Sequence, residues 1–287
     1  AELSSDIPLQ HYAACTLIPG LIDTHMHFMR FQGPTFLAYG VTTNHVLGME
    51  AVMSDGSIQW FGSKTRENPG YDLRGIVIGS EGTLAIVTKI VVRLLKKPES
   101  VKTLLAVYSK LDHASSAVSA IIAAGIVPAA LEMMDKLCIK AVEPAVHAGY
   151  PDGAEAVLLV EVDGVVEAVE EEAAEISTIC KKYLPMEIRM ADSTSERERL
   201  WSGRKGVLGA LGRLAPNYYL VDGTIPRTKL IEVLTKITQI SEKSGLRIAN
   251  LLHAGDGNLH PSILFDERNG DEKNRALEAG GDILKLC

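Results

Sequence analysis

Between residues 100 and 191 the chain alternates short apolar runs with longer segments of helical period, and this alternation limits the possible folds more than any other feature. Val101 to Tyr108, Pro128 to Met134, Ala154 to Asp163 and Met186 to Met190 read as strands. Asp112 to Ala124, Asp135 to His147 and Val165 to Tyr183 read as helices. The connections suit an antiparallel sheet covered by helices on one face, a ferredoxin-like α+β arrangement. In the last helix Val166, Val169, Ala173 and Ile176 are expected to face inward. Glu167, Glu170, Glu171, Glu172 and Glu175 then form its solvated face, with no catalytic role.

Composition narrows the class. The 287 residues leave room for one large or two modest domains, and 46% hydrophobic with 23% charged residues is ordinary for a globular chain. A net charge of -7 without a basic stripe argues against nucleic acid as a partner. No apolar stretch reaches the roughly 20 residues of a membrane span, and no charged segment precedes an export-signal core. Cys15, Cys138, Cys180 and Cys287 lack paired metal or redox spacing, so reduced thiols and a cytoplasmic location are expected.

Candidate chemistry concentrates in His253-Ala254-Gly255-Asp256-Gly257-Asn258-Leu259-His260. Leu246 to Leu252 before it and Pro261 to Phe265 after it read as strands, and Gly255, Asp256, Gly257 and Asn258 supply turn chemistry, which gives a hairpin with an imidazole at each shoulder. Such a pair can ligate a metal, or hold an anion and move a proton near neutral pH. The plain alternative is two turn-flanking histidines in ordinary hydrogen bonds. Two histidines alone do not complete a metal site.

This stretch resembles a signature of the FAD-linked D-2-hydroxy-acid dehydrogenases, the family of the glycolate oxidase flavin subunit and of D-lactate dehydrogenases. A second phrase, Gly79-Ser80-Glu81-Gly82-Thr83-Leu84-Ala85-Ile86-Val87-Thr88, resembles the family's second flavin-contacting segment. Its small residues let the backbone approach a flat or phosphorylated ligand, and the run Ile90-Val91-Val92 is expected to form a buried strand that carries the loop. Val41 to Val52, with Asp55-Gly56 turning a hairpin, is similar to the strand pair before it. Ala130 to Asp135 reads as a strand running into a helix. Leu200 to Lys205 lies on a helix that presents Arg204 and Lys205 side by side. The position of Arg204 resembles the arginine that grips the substrate carboxylate, a bidentate recognition suited to a guanidinium. Asn217 to Pro226 resembles the segment preceding the histidine hairpin, with Asp222 and Thr224 as turn and helix cap.

The resemblance implies FAD contacted by Gly79, Ser80, Glu81, Gly82, Thr83 and Ile86. It implies a divalent metal (Zn, Mn or Fe) at His253 and His260, and substrate contacts from Arg204 and Asn258. The implied reaction is oxidation of a small 2-hydroxy acid, glycolate or D-lactate, to the 2-oxo acid, with His253 or His260 taking the hydroxyl proton. Some members pass electrons to an iron–sulfur partner subunit, which would hold a cytoplasmic protein at the periphery of the inner membrane. The implied fold is a partial FAD-binding subdomain of vanillyl-alcohol-oxidase type over residues 38–97, followed by a ferredoxin-like α+β substrate domain over 98–287. The family's glycine-rich pyrophosphate loop and its Gly-Glu-His-Gly-like segment are not found in the sequence. The substrate half therefore reads as nearly complete and the cofactor half as incomplete.

Residues 1–37 read differently. Ile18-Pro19-Gly20-Leu21-Ile22-Asp23-Thr24-His25-Met26-His27 resembles the first metal-binding strand of the amidohydrolases, where a His-x-His pair points two imidazoles the same way. The alternation of eight strands and helices that such a barrel needs is absent. A metal-dependent hydrolase using His25 and His27, and a non-catalytic ferredoxin-like module that binds a partner, stand as the alternatives.

Overall fold

A computed structural model describes residues 11–12, 15–19, 46–63, 70–80, 82–92 and 98–287, the first two stretches as backbone only. The chain divides into two units, residues 1–97 and 98–287.

In the first unit, β1 (His11–Tyr12), β2 (Cys15–Pro19), β3 (Val46–Met53), β4 (Ile58–Gly62) and β5 (Ala85–Val92) form an antiparallel sheet in the order β1-β2-β5-β3-β4. The β3–β4 hairpin turns at Asp55-Gly56 as expected. Gly56 takes φ 81°, and the Ser57 N–H donates to Asp55 Oδ1 at 2.9 Å. A short helix, α1 (Leu73–Val77), is tied to β3 by buried Arg74, whose Nη1 donates to the Val46 and Leu47 carbonyls at 3.1 and 2.9 Å. Val46, Met49, Ala51, Val77 and Ala85 make a small core. Strand β5 forms where the β-branched run predicts it. Of its residues only Ala85 and Val91 are buried; Ala85 belongs to this core, and the partly buried Val87, Ile90 and Val92 pack against it across a register shift opposite Glu50 and Ala51.

The second unit opens with the expected alternation: β6 (Ser100–Tyr108), α2 (Leu111–Ala123), β7 (Ala130–Asp135), α3 (Lys136–Val146), β8 (Ala156–Gly164), α4 (Val166–Lys181) and β9 (Glu187–Met190). It continues through α5 (Thr194–Leu211), β10 (Asn217–Leu220), β11 (Gly223–Thr224), α6 (Leu230–Ser244), β12 (Arg247–His253), β13 (Asn258–Phe265) and α7 (Gly270–Leu284). All eight strands join one antiparallel sheet in the order β10-β13-β12-β7-β8-β6-β9, with β11 also on β13. Within it β7-β8-β6-β9 is the ferredoxin-like order. The strands β12-β13-β10 repeat its first three places, and the two sets meet where β12 pairs with β7.

The expectation of one covered face is corrected. Helices α2, α4, α6 and α7 pack on Leu104, Ala106, Leu131, Met133, Leu158 and Ile248, while α3 and α5 pack on Leu105, Val107, Met134, Leu159, Ala249 and Leu251 of the other face. The reason is legible in the unbroken apolar runs Leu104 to Tyr108 and Val157 to Val160. A strand with water on one side alternates polar and apolar residues, and these do not. Val169, Ala173 and Ile176 of α4 are buried as expected, but Val166 is 47% exposed because it stands in the first turn, short of the sheet.

Candidate functional site

Helix α5 starts at the cap Ser193, whose side chain accepts from the Glu196 N–H. One carboxylate then anchors it to the sheet. Glu161 on β8 accepts from Arg197 Nε and Nη2 and from Trp201 Nε1, each at 2.7 Å, and from the Thr103 hydroxyl of β6 at 2.6 Å. Glycines bring the helix close to its neighbours. A Cβ on Gly203 would lie 2.3 Å from the Tyr150 hydroxyl, and one on Gly206 would lie 3.1 Å from Val146 of α3. Arg204 follows on this helix and is buried beneath it against the sheet. Lys205 instead lies over the Trp201 ring, 5.9 Å from its centroid.

The β12–β13 hairpin supplies the imidazoles. Its register pairs His253 with Asn258 and Leu251 with His260, and on the next strand Glu132 of β7 stands opposite His253. Because side chains alternate along a strand, Glu132, His253, Asn258 and His260 share the face on which Leu251 and Ala249 meet α3 and α5. The turn is fixed to β7 through the Gly255 N–H, which donates to the Leu131 carbonyl at 3.1 Å. Gly257 takes φ 75° with no space for a side chain, since a Cβ would lie 2.2 Å from the Ile225 carbonyl oxygen.

Three of these elements converge on one carboxylate. Arg204 Nε and Nη2 both donate to Glu132 Oε2 at 2.8 Å, and His253 Nδ1 lies 2.7 Å from Oε1. Glu132 is 6% exposed and Arg204 8%. Burial alone would raise the Glu132 pKa, but the Arg204 and His253 charges and hydrogen bonds outweigh it and hold the group below the usual carboxylate range. The inner edge of Arg204 is committed to this ion pair. The two imidazoles meet edge to face with centroids 5.1 Å apart. Asp222 places Oδ1 3.7 Å from His260 Nδ1. Thr224, expected as a helix cap, lies instead in β11 opposite Asn258, and α6 begins after Lys229. The Asn258 Oδ1 is buried without a hydrogen-bond partner, an acceptor without a protein donor beside the histidines.

Arg204, His253, Asn258 and His260 are thus gathered in the second unit. Glu132 was missed as a site residue, although one acid inside the apolar strand Ala130 to Asp135 was its signal. In the first unit Gly79, Ser80, Gly82 and Thr83 form the loop between α1 and β5, with Ile86 exposed on the strand, while Glu81 lies outside the described residues. Gly79 and Gly82 take φ 78° and 75°, which bare the backbone on both sides of Ser80, and the buried Ser80 hydroxyl has no hydrogen-bond partner. An unpaired donor in a loop of bare backbone fits a flavin-contacting role.

The metal expectation fares differently. Among the described residues no group of three or more His, Cys, Asp or Glu side chains is arranged to hold a metal ion. Among the described residues no third ligand of these types joins His253 and His260, and the metal expectation is not supported. His25 and His27 lie outside the described residues, and the antiparallel sheets of both units differ from the parallel barrel that the hydrolase reading needs. No described helix is long and apolar enough to cross a membrane, and Cys138, Cys180 and Cys287 are free.

Residues 97–287 match the family described as FAD linked oxidases, C-terminal domain. The chain is 46% identical over 251 residues to the glycolate oxidase subunit GlcD of Escherichia coli, covering 88% of this chain and 50% of that protein. It is 42% identical over 250 residues to GlcD of Bacillus subtilis, covering 87% and 53%, and 27% identical over 261 residues to the mitochondrial D-lactate dehydrogenase [cytochrome] of Arabidopsis thaliana, covering 90% and 46%. The chain spans about half the length of these relatives. Among solved structures, p-cresol methylhydroxylase superposes with a TM-score of 0.66 at 15% identity over 97% of this chain and 67% of that one. Alkyldihydroxyacetonephosphate synthase superposes at 0.56 and 15% identity over 83% and 49%. These likenesses show that the chain shares the fold of those two proteins. With its second unit matched over its whole length, the chain belongs to the family of FAD-linked oxidases.

Proposed function

We propose that this chain carries the substrate side of an FAD-dependent dehydrogenase that oxidises a D-2-hydroxy acid, glycolate or D-lactate, to the 2-oxo acid. The observation that carries the reading is the junction of Arg204, Glu132 and His253 beside His260, a buried cation and two imidazoles on one face of the sheet. The oxidation removes a hydride from the hydroxyl-bearing carbon and a proton from its oxygen. Bound FAD supplies the two-electron acceptor, with Gly79, Ser80, Gly82, Thr83 and Ile86 as its contacts on this chain. The outer edge of the Arg204 guanidinium, turned from Glu132, receives the substrate carboxylate, and Asn258 Oδ1 accepts a hydrogen bond from the substrate hydroxyl. His253 takes the hydroxyl proton as hydride leaves, with His260 against its ring. Similarity to a glycolate oxidase subunit also supports partner subunits that accept the electrons.

The test is an absorbance spectrum of the purified chain after incubation with excess FAD and desalting. A retained flavin band that bleaches anaerobically with glycolate or D-lactate is the expected result. No retained band, with no dye reduction by either acid, would overturn the activity for this chain.

A further inference from the structure

We propose that Glu132 is the positioning residue of this site: one buried carboxylate that clamps Arg204 of α5 and His253 of β12, and so fixes which nitrogen of His253 can take the substrate proton. The inference rests on the dehydrogenase reading for its catalytic consequence, but not for its geometry. An ionised carboxylate only accepts hydrogen bonds. With Oε1 2.7 Å from His253 Nδ1, that nitrogen must carry the proton. In the neutral ring Nε2 then holds the lone pair and is the base. Free imidazole does not enforce this choice; a carboxylate at Nδ1 does.

Packing alone gives little reason for the arrangement. Glu132 interrupts a strand whose neighbours Leu131, Met133 and Met134 are buried and apolar. A buried ion pair recovers its desolvation cost poorly, and apolar residues of similar volume often serve as well. Glu132 nevertheless spends Oε2 on two Arg204 donors and Oε1 on His253, so its two oxygens set the distance between the carboxylate-binding and proton-accepting groups.

The test uses the full chain, labelled with 15N, and long-range 1H–15N correlation of the histidine rings, with His253 assigned from the signals that vanish in His253→Gln. We expect neutral His253 to be protonated at Nδ1 and bare at Nε2. Glu132→Gln keeps an oxygen that accepts from Nδ1 and should retain the tautomer. Glu132→Leu strands a buried Arg204 and can unfold the chain, so Glu132→Leu/Arg204→Met is the informative variant. In it the ring should shift to the Nε2-protonated form. Protonation of Nε2 in the wild type, or an unchanged tautomer in the double variant, would overturn the proposal. These spectra need no flavin, so a chain that fails to turn over still reports on the clamp. Where it does turn over, Glu132→Gln, which keeps the acceptor for Nδ1, should hold kcat within about 10-fold of the wild type.

Discussion

At Gly257 the backbone sits at φ 75° with the Ile225 carbonyl oxygen where a Cβ would stand. Alanine there meets both the left-handed strain and the clash, at a cost of about 2 kcal/mol or more. The turn cannot move alone, because the Gly257 carbonyl accepts from the Ile225 N–H at 2.9 Å and its shoulders are His253 and Asn258. Gly257→Ala is therefore expected to lower the thermal midpoint and to weaken substrate reduction of bound flavin together. A variant that loses neither would mean that the turn does not set the positions of the imidazoles. The histidines were legible in the sequence because turn residues and flanking strands announce a hairpin. Their partner was not. Glu132 lies 121 residues before His253, and only the β7–β12 pairing makes them neighbours.

Helix α5 shows how an element carries a site residue. Gly203→Ala gains helix propensity but drives a methyl into Tyr150, whose hydroxyl donates to the Leu200 carbonyl at 3.0 Å, so a net loss of about 1–3 kcal/mol is expected. Gly209 on the same helix is exposed, with nothing within 4 Å of its Cβ position, and Gly209→Ala should gain about 0.5–1 kcal/mol. Opposite shifts in urea midpoint check the pair; a gain in both would mean that α5 does not press on Tyr150. The anchor at Glu161 predicts a pH dependence. Burial raises its pKa, but hydrogen bonds from Arg197, Thr103 and Trp201 with the Arg197 charge lower it further, to a net value below the ordinary 4.5. A depressed folded pKa gives stability that is complete above about pH 4.5 and is lost as the pH falls through the folded value. Glu161→Gln should be less stable than the wild type above that pH and should close the gap below it. A gap that does not narrow in acid would show that the carboxylate charge is not the anchor.

Over the whole molecule, the alternation of strands and helices made the second unit readable from its sequence, down to the strand that runs directly into α3. The unbroken apolar runs of β6 and β8 signal that both faces are covered, but which helix covers which face is not legible, because helical and strand periods say which side of an element is apolar and not which side of the sheet a helix returns to. Among the described residues, the buried members of both cores of that unit lie between 104 and 283, and those of the small core of the first unit between 46 and 85. Cores that share no residue need not unfold together. Residues 98–287 expressed alone are therefore expected to unfold in one cooperative transition and to keep the Nδ1-protonated tautomer of His253, since Arg204, Glu132 and His253 all lie within them. Flavin retention, by contrast, should depend on the first unit, which holds the Ser80 loop. A fragment that binds hydrophobic dye and melts without a sharp transition would mean that the second unit borrows its stability from residues 1–97. A sharp transition with an altered tautomer would mean instead that the clamp at Glu132 is set from outside the fold that contains it.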